Sequence, residues 1–343
     1  MAEGLAHGLL YNTQDPPGGA RLVERWAELL DLAVVAEECG FASVHVPEHH
    51  GRDDGYLPQP LVACAALAAR TRRIKVGTAV TVGPLRHPLH LAEEALVVDV
   101  LSGGRLVLAV GLGNLRGEYD AFGVLFEDLG GRFDEFLGVL LPALGGDRVT
   151  MHGRHYVVPG VLARPRAVQR PRPETWVGSM SPAGVRRAGR LGVPLLLDPL
   201  NTIADLEPLV ATYREAAAAA GQPARVKLMR WGWVGDDVDA DWWPHVRQAL
   251  WGYLVDVPRI DRGRHPALRG ATSADELDLA AVSEDRLLVG DAATVSRLAA
   301  EWCHRLGADH LVVKLQGATG PWGDPLAAAV RRYAEVIART AAP

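Results

Sequence analysis

Residues 73–113, RIKVGTAVTVGPLRHPLHLAEEALVVDVLSGGRLVLAVGLG, carry the pattern that decides the fold. The stretch opens at 73–82 with a run rich in β-branched residues, which favours a strand. Residues 88–104 then show helical spacing of apolar side chains and finish in two glycines, as helices commonly do. A second apolar run follows at 105–113. A strand, a helix and a strand in this order predict a parallel pair with a crossover helix.

The same alternation continues through the chain and gives eight strand–helix units. The predicted strands lie at residues 5–12, 41–50, 73–82, 105–113, 175–180, 193–198, 227–234 and 310–315. Eight such units in 343 residues predict an α/β protein of the (β/α)8 TIM barrel class. An open Rossmann-type sheet is disfavoured because no G-x-G-x-x-G motif follows the first strand. We expect a single domain over residues 1–343.

Two segments interrupt the repeat. Residues 147–175 predict a short β-hairpin and a proline-rich connector. Residues 252–285 lack periodicity and predict a long loop, and the part from 258 to 285 is a candidate lid over the site. The seventh helix of the repeat is expected before this loop, at 237–248.

Composition excludes several classes of partner. The formal net charge is −5 and no dense basic run is present, so we expect no nucleic-acid partner. No 18 consecutive apolar residues occur and the N-terminus lacks an export leader, so we expect no membrane span and a cytoplasmic location. Cys39, Cys64 and Cys303 are far apart and odd in number, which indicates core packing rather than disulfides.

The second strand ends in Glu48-His49-His50, and TIM barrels place their active sites at the carboxyl ends of strands. Side chains alternate along a strand, so His49 and His50 should point to opposite sides. Asp198 is the other carboxylate at a strand end, so we expect no metal site. His49 is the candidate acid–base residue because imidazole titrates near neutral pH; the alternative is a half-buried histidine without a chemical role. We expect a structural role for His50.

The turn after the fifth strand, Gly178-Ser179-Met180-Ser181-Pro182, is a second candidate site. Its small residues precede a predicted helix, whose amino end favours anions such as phosphate. The same residues also fit an ordinary helix start, with Ser181 as the N-cap and proline at the first helical position. The spacing leaves the phosphate site and the helix cap open.

In the order of its motifs, the chain resembles the bacterial luciferase-like family of flavin-dependent monooxygenases. The resemblance rests on EHH at 48–50, VGTAV at 76–80, HP followed by AEE within 87–94, D-x-LSGGR at 99–105 and AFG at 121–123. Matching segments extend from about residue 5 to residue 340, and the resemblance is weakest between 225 and 285.

The resemblance implies a monooxygenase that uses reduced FMN and dioxygen to oxygenate a small or medium organic substrate. It also implies an NAD(P)H-dependent flavin reductase that supplies the reduced FMN, and a homodimer. By position, His49 and Glu118 match catalytic residues, Ala79–Val80 a cis peptide bond beneath the flavin, and Met180 and Ser181 phosphate contacts. The positions implied to bind the cofactor are Thr78, Ala79, Val80, Gly111, Asn114, Leu115, Gly178, Met180 and Ser181.

Leu112 departs from the family pattern, since members that hold FMN often have an arginine there that pairs with the phosphate. Because this arginine is absent, a deazaflavin-dependent oxidoreductase that transfers hydride is an alternative function. A non-catalytic flavin-binding protein is a further alternative. Arg186 and Arg187 are candidate replacements, although both are expected on a solvated helix face. Four arginines of the candidate lid are further candidates: Arg259, Arg262, Arg264 and Arg269.

Overall fold

The chain forms a closed barrel of eight parallel strands ringed by helices, in a computed structural model that describes residues 4–16, 18–256 and 271–341. In chain order the strands are β1 Ala6–Leu10, β2 Ser43–Val46, β3 Lys75–Thr78, β4 Thr81–Val82, β5 Leu106–Gly111, β6 Arg148–His152, β7 Val157–Leu162, β8 Glu174–Gly178, β9 Leu195–Leu197, β10 Val226–Val234, β11 Leu287–Gly290 and β12 Ala308–Lys314. β1 pairs with β2 and β12, and the ring runs through β3, β5, β8, β9 and β10 back to β12. The predicted TIM barrel is confirmed.

Helices connect the strands, and several of them pack on the outside of the barrel. They are α1 Leu22–Glu38, α2 Pro60–Arg70, α3 Pro88–Ser102, α4 Arg116–Ala121, α5 Leu129–Gly145, α6 Pro182–Arg190, α7 Ile203–Ala219, α8 Val238–Asp241, α9 Trp243–Asp256, α10 Leu279–Ser283, α11 Ala292–Leu306 and α12 Asp324–Thr340. Short 3₁₀ turns add residues 83–85 and 274–276. Among the described residues, no helix combines the length and the apolar character needed to span a membrane.

The crossover from β10 to β12 differs from the predicted one. The helix expected at 237–248 is present as α8 and α9, but the helix that packs on β10 and β12 in the outer ring is α11. Trp302 of α11 lies 5.7 Å from the guanidinium of Arg230 on the outside of the barrel. β11, which pairs with Trp231–Val234 of β10, lies outside the predicted set because four residues are too few to show a period.

The two interruptions of the repeat differ in how well they match expectation. β6 and β7 form an antiparallel hairpin, which confirms the prediction for that segment. The long loop expected at 252–285 has narrower bounds, because α9 continues to Asp256 and α10 adds a helical turn. Residues 257–270, with the four candidate lid arginines, lie outside the described residues.

A small apolar cluster fills the inside of the barrel. Its members are Leu10, Ala79, Val107, Ala109, Trp176, Leu196, Met229 and Val312. Towards the amino ends of the strands, Ser43 Oγ lies 2.8 Å from Nε2 of both His45 and His310. Burial lowers the pKa of His45 to about 4 and holds the pKa of His310 well below its ordinary value. Because these interior layers are packed with side chains, a ligand has to bind at the carboxyl ends of the strands.

Candidate active site

His49 follows β2 at the carboxyl end of the barrel, and a buried carboxylate holds its ring. The Nδ1 atom of His49 lies 2.8 Å from Oε1 of Glu118 on α4. The backbone N–H of His50 donates to the same oxygen at 2.8 Å. The side chain of His49 is 24% exposed and that of Glu118 only 4%. The structure therefore brings together the two residues that the sequence predicts as catalytic.

The charge of Glu118 fixes the orientation of the imidazole. Burial acts to raise the pKa of Glu118, but the hydrogen bonds from His49 and from the His50 backbone outweigh burial and hold that pKa below its ordinary value. The carboxylate is therefore ionised at neutral pH and accepts from Nδ1–H. We infer from this contact the tautomer in which Nε2 of neutral His49 is the basic nitrogen.

His50 has a separate set of partners. Its Nε2 lies 2.8 Å from Oε1 of Glu48, which also pairs with Arg86. The ring of His50 meets Phe122 edge to face at 4.7 Å. His49 instead meets the ring of Tyr56 at 4.6 Å. The two neighbouring histidines thus enter different environments, as strand alternation predicts, and the structural role of His50 stays a prediction.

A valine is packed between two glycines at the carboxyl ends of β5 and β8. The peptide bond between Ala79 and Val80 is cis, as expected for that position. A Cβ atom at Gly111 would lie 2.8 Å from Val80, and one at Gly178 would lie 2.9 Å from it. The glycines therefore let the strands β5 and β8 approach Val80. Contact of these residues with a cofactor stays a prediction.

Thr78 is tied into the sheet. Its hydroxyl donates to the carbonyl of Ala109 at 2.7 Å and accepts from the N–H of Ala109 at 3.0 Å. The residue is buried, so its hydroxyl is already satisfied by the neighbouring strand. Any contact of Thr78 with a cofactor would have to come from its backbone, and the cofactor-binding role predicted for it remains a prediction.

The turn from Gly178 to Ser181 begins α6 as a capped helix. Ser181 Oγ accepts from the N–H of Gly184 at 3.2 Å. A Cβ atom at Gly184 would lie 1.9 Å from Ser179 Oγ, so the turn needs glycine there. Met180 Sδ accepts from the N–H of Asp198 at 3.4 Å, which links the ends of β8 and β9. The helix-cap interpretation is thus confirmed, and a phosphate contact at this turn stays a prediction.

The stretch after β5 differs from its neighbours in exposure. The carbonyl of Leu112 accepts a hydrogen bond from the hydroxyl of Tyr119. Asn114 is exposed, and Leu115 is partly buried at the start of α4. Within the described part of the chain, Asn114 makes no side-chain hydrogen bond, and the cofactor-binding roles predicted for Asn114 and Leu115 stay predictions.

The candidate replacement arginines behave differently from each other. Arg186 is exposed, as expected. Arg187 is buried instead of solvated: its Nε lies 2.5 Å from Oδ1 of Asp134 and its Nη2 lies 3.1 Å from the carbonyl of Gly130. The expectation of a solvated face is wrong for Arg187, because α5 packs against this side of α6 and pairs with its guanidinium. Arg187 is therefore already neutralised by a protein carboxylate.

A family model for luciferase-like monooxygenases matches residues 7–310. This chain belongs to the luciferase-like monooxygenase family. The members of this family are oxidoreductases, and the prediction that the chain is an enzyme of that class is confirmed.

Relatives of this luciferase-like protein fall into two cofactor groups. The oxygenase component of flavin-dependent trigonelline monooxygenase from Acinetobacter baylyi is 27% identical over 61% of the chain and 59% of the relative. F420-dependent glucose-6-phosphate dehydrogenase from Microbacterium testaceum is 34% identical over 48% of the chain and 50% of the relative. The matches therefore span half to three fifths of these curated relatives. The crystal structure of monooxygenase RslO1 from Streptomyces bottropensis has a TM-score of 0.79 and 28% identity, covering 97% of the chain and 99% of RslO1.

Sequence reasoning missed Tyr56, which contacts His49, and Lys314, which ends β12 of this luciferase-like protein. Tyr56, against His49, lies in a loop of glycines and acids that gives no periodic signal. Lys314 and Trp231 lie side by side at the carboxyl ends of β12 and β10. The inward alternation of β12 was a usable signal for Lys314, since a lysine in an otherwise apolar strand is unusual.

Proposed function

We propose that this chain is the oxygenase component of a two-component monooxygenase. It takes reduced FMN from an NAD(P)H-dependent flavin reductase and uses dioxygen to oxygenate a small or medium organic substrate. The observation that carries the proposal is the 2.8 Å contact of His49 Nδ1 with buried Glu118 at the carboxyl end of the barrel. An oriented imidazole at the mouth of a TIM barrel is suited to general acid–base chemistry.

The residues present fit a flavin in two respects. The glycines at 111 and 178 leave a floor of backbone around Val80, against which a planar ring can lie. The capped turn at Ser181 presents the amino end of a nine-residue helix, which favours a phosphate group. Leu112 fits less well, because it offers the phosphate no charge.

Reduced FMN would supply the two electrons that place one oxygen atom of dioxygen in the substrate and reduce the other to water. The chain supplies the proton chemistry and the positioning. His49 would exchange a proton at Nε2, while Glu118 keeps Nδ1 protonated and stabilises the imidazolium. Tyr56 would limit the motion of the ring from one side.

The test is oxygen consumption by the purified protein with a flavin reductase, NADH and FMN, alongside titration of reduced FMN under anaerobic conditions. We expect micromolar or tighter binding of reduced FMN and oxygen consumption that forms product on a screen of organic substrates. Protein that neither binds reduced FMN nor forms oxygenated product would rule the proposal out. If the His49→Ala variant still bound FMN and its turnover were unchanged, the imidazole would not have the role proposed for it.

A deazaflavin-dependent oxidoreductase that transfers hydride is the second candidate. Two observations favour it: Leu112 replaces the phosphate-pairing arginine, and Arg187 is already paired with Asp134. The 34% identical relative that depends on F420 adds support. Parallel titrations of reduced FMN and reduced F420 separate the candidates, since the preferred cofactor should bind at least about tenfold more tightly, a difference of about 1.4 kcal/mol.

Further parts of the proposal concern assembly and organisation. We propose a homodimer through α2 and α3, because Val62, Val97 and Leu101 are 66%, 45% and 61% exposed on these helices. Residues 1–343 would form one domain, and the protein would act in the cytoplasm. A flavin-binding protein without catalysis is the remaining alternative, and product formation by the purified protein would exclude it.

A further inference from the structure

Lys314 is the last residue of β12 and lies inside the barrel at the end where His49 follows β2. Its register partners are Leu10 of β1 and Trp231 of β10. Val312, two residues earlier, belongs to the interior cluster, and His310 bonds to Ser43 within the barrel. Side chains two residues apart in a strand share a face, so Lys314 continues this inward row towards the barrel mouth.

Lys314 differs from the other two lysines in having no acidic partner among the described residues. Lys75 Nζ lies 2.6 Å from Glu174 Oε2, and Lys227 Nζ lies 2.5 Å from Asp309 Oδ1. Lys314 is 5% exposed, and the described residues offer its Nζ neither a hydrogen bond nor an ion pair. A buried ammonium without a counter-ion is costly, so a ligand anion at this position would be stabilising.

The neighbour of Lys314 is a second donor without a partner. The Nζ atom lies 4.0 Å from the centroid of the Trp231 ring. The Nε1 atom of Trp231 is buried and has no hydrogen-bond partner among the described residues. An ammonium and an indole N–H are donors only, so the group that would complement both is rich in acceptor oxygens.

Burial alone sets the protonation of Lys314. It lowers the pKa of the amine to about 7, without a contribution from a charged group in the described parts of the chain. The adjoining strands present Leu10 and Trp231 at this level, neither of which carries charge. The amine therefore loses its proton more readily than an exposed lysine does, and an anion bound beside it would favour the protonated form.

We propose that Lys314 is a specificity-determining residue that pairs with a carboxylate of the substrate, with Trp231 as the neighbouring donor. The inference rests on the proposed function, because it assumes that the chain acts on an organic substrate. It narrows that substrate to organic carboxylic acids. The carboxylate would lie at the ends of β10 and β12, while the part of the molecule to be oxygenated faces His49. Amides and esters of the same acids would bind weakly, because they cannot neutralise the ammonium.

The experiment is calorimetric titration of the full chain with benzoate, hexanoate and nicotinate at pH 7, in two buffers of different ionisation enthalpy. The matching amides serve as uncharged probes. We expect at least one acid to bind at least tenfold more tightly than its amide, with net uptake of protons. Lys314→Met should abolish both the preference and the proton uptake. Lys75→Met, which removes a charge at the opposite end of the barrel, should change neither.

Each contrary result has a definite meaning. Equal binding of acid and amide, no acid binding across the panel, or retained preference in Lys314→Met would each overturn the inference. Loss of reduced FMN affinity in Lys314→Met with unchanged acid binding would also overturn it, since the amine would then serve the cofactor. Because the titration needs neither flavin nor turnover, its outcome is separate from that of the oxygenase assay.

Discussion

The Nδ1 atom of His49 lies 2.8 Å from Oε1 of Glu118, and the same oxygen also accepts the backbone N–H of His50. One buried carboxylate thus fixes both the ring of His49 and the chain that carries it. The other oxygen, Oε2, is buried without a partner among the described residues. The position of the imidazole therefore depends on a side chain 69 residues further along the chain.

Replacement of Glu118 by glutamine should lower turnover more than cofactor binding. Glutamine keeps an acceptor oxygen but removes the charge that fixes the tautomer of His49. We expect turnover to fall at least about tenfold, and by about 10²–10⁴-fold in His49→Ala. Reduced FMN affinity, measured by anaerobic titration, should stay within about threefold. Asp120→Asn on the same helix is the matched control, since its side chain is 64% exposed; an equal loss in that variant would contradict the role of Glu118.

Gly178→Ala should destabilise the fold through a collision with Val80. The new Cβ atom would lie 2.9 Å from Val80 Cγ1, so the floor of the site has to shift. We expect a loss of about 1–3 kcal/mol in the free energy of unfolding, measured by urea denaturation. Combining it with Val80→Ala should recover part of that loss, and additive effects would argue against a direct collision. Gly117→Ala, where a Cβ meets nothing within 4 Å, should cost little or stabilise.

The buried imidazoles should make the barrel sensitive to acid. Burial lowers the pKa of His45 to about 4, whereas the unfolded chain takes up that proton near 6.5. The unfolded state therefore binds more protons between pH 6.5 and 4. The free energy of unfolding decreases as the pH is lowered through that window. Urea denaturation at pH 6.5 and 4.5 should show a smaller loss in His310→Gln, because a second low-pKa imidazole is removed. His152→Gln, at an exposed position, should lose as much as the parent protein.

Leu101→Asp should convert the proposed homodimer into a monomer. The side chain is 61% exposed on α3, next to other exposed apolar residues, and a charge buried in an apolar interface is costly. Light scattering after size-exclusion chromatography gives the molar mass. Leu125→Asp, at a 76% exposed position away from α3, should leave the dimer intact. A monomeric parent protein at tens of micromolar would show that the homodimer proposal is wrong.

The barrel could be predicted because strand and helix periods are local properties of the chain. Residues such as 105–113 combine apolar character, β-branching and flanking glycines, and they form β5. β11 was beyond this reasoning, because Leu287–Gly290 is too short to show a period. α11 carries local signals that were overlooked, since it begins after the N-cap Asp291 and ends before Gly307. Long-range packing decides which helix covers a barrel strand. For this reason α11, and not the expected α9, packs on β10 and β12.

For the site, the sequence predicted which residues take part but not how their side chains contact each other. Resemblance pointed to His49 and Glu118, but the contact between them joins residues far apart in sequence and needed the structure. Arg187 was misjudged because the partner that buries it, Asp134, lies on another helix. Lys314 carried no motif, and its lack of a counter-ion is a property of three neighbouring strands rather than of any segment.

The packing of Val80 against Gly111 and Gly178 also limits the order in which this site can evolve. A larger residue at position 111 or 178 would be less destabilising in an ancestor whose residue 80 had already become smaller. Lineages that mutated in the reverse order would pass through a colliding intermediate. An alignment of homologues should therefore show the three positions changing in a fixed succession, and independent drift at any of them would speak against this constraint.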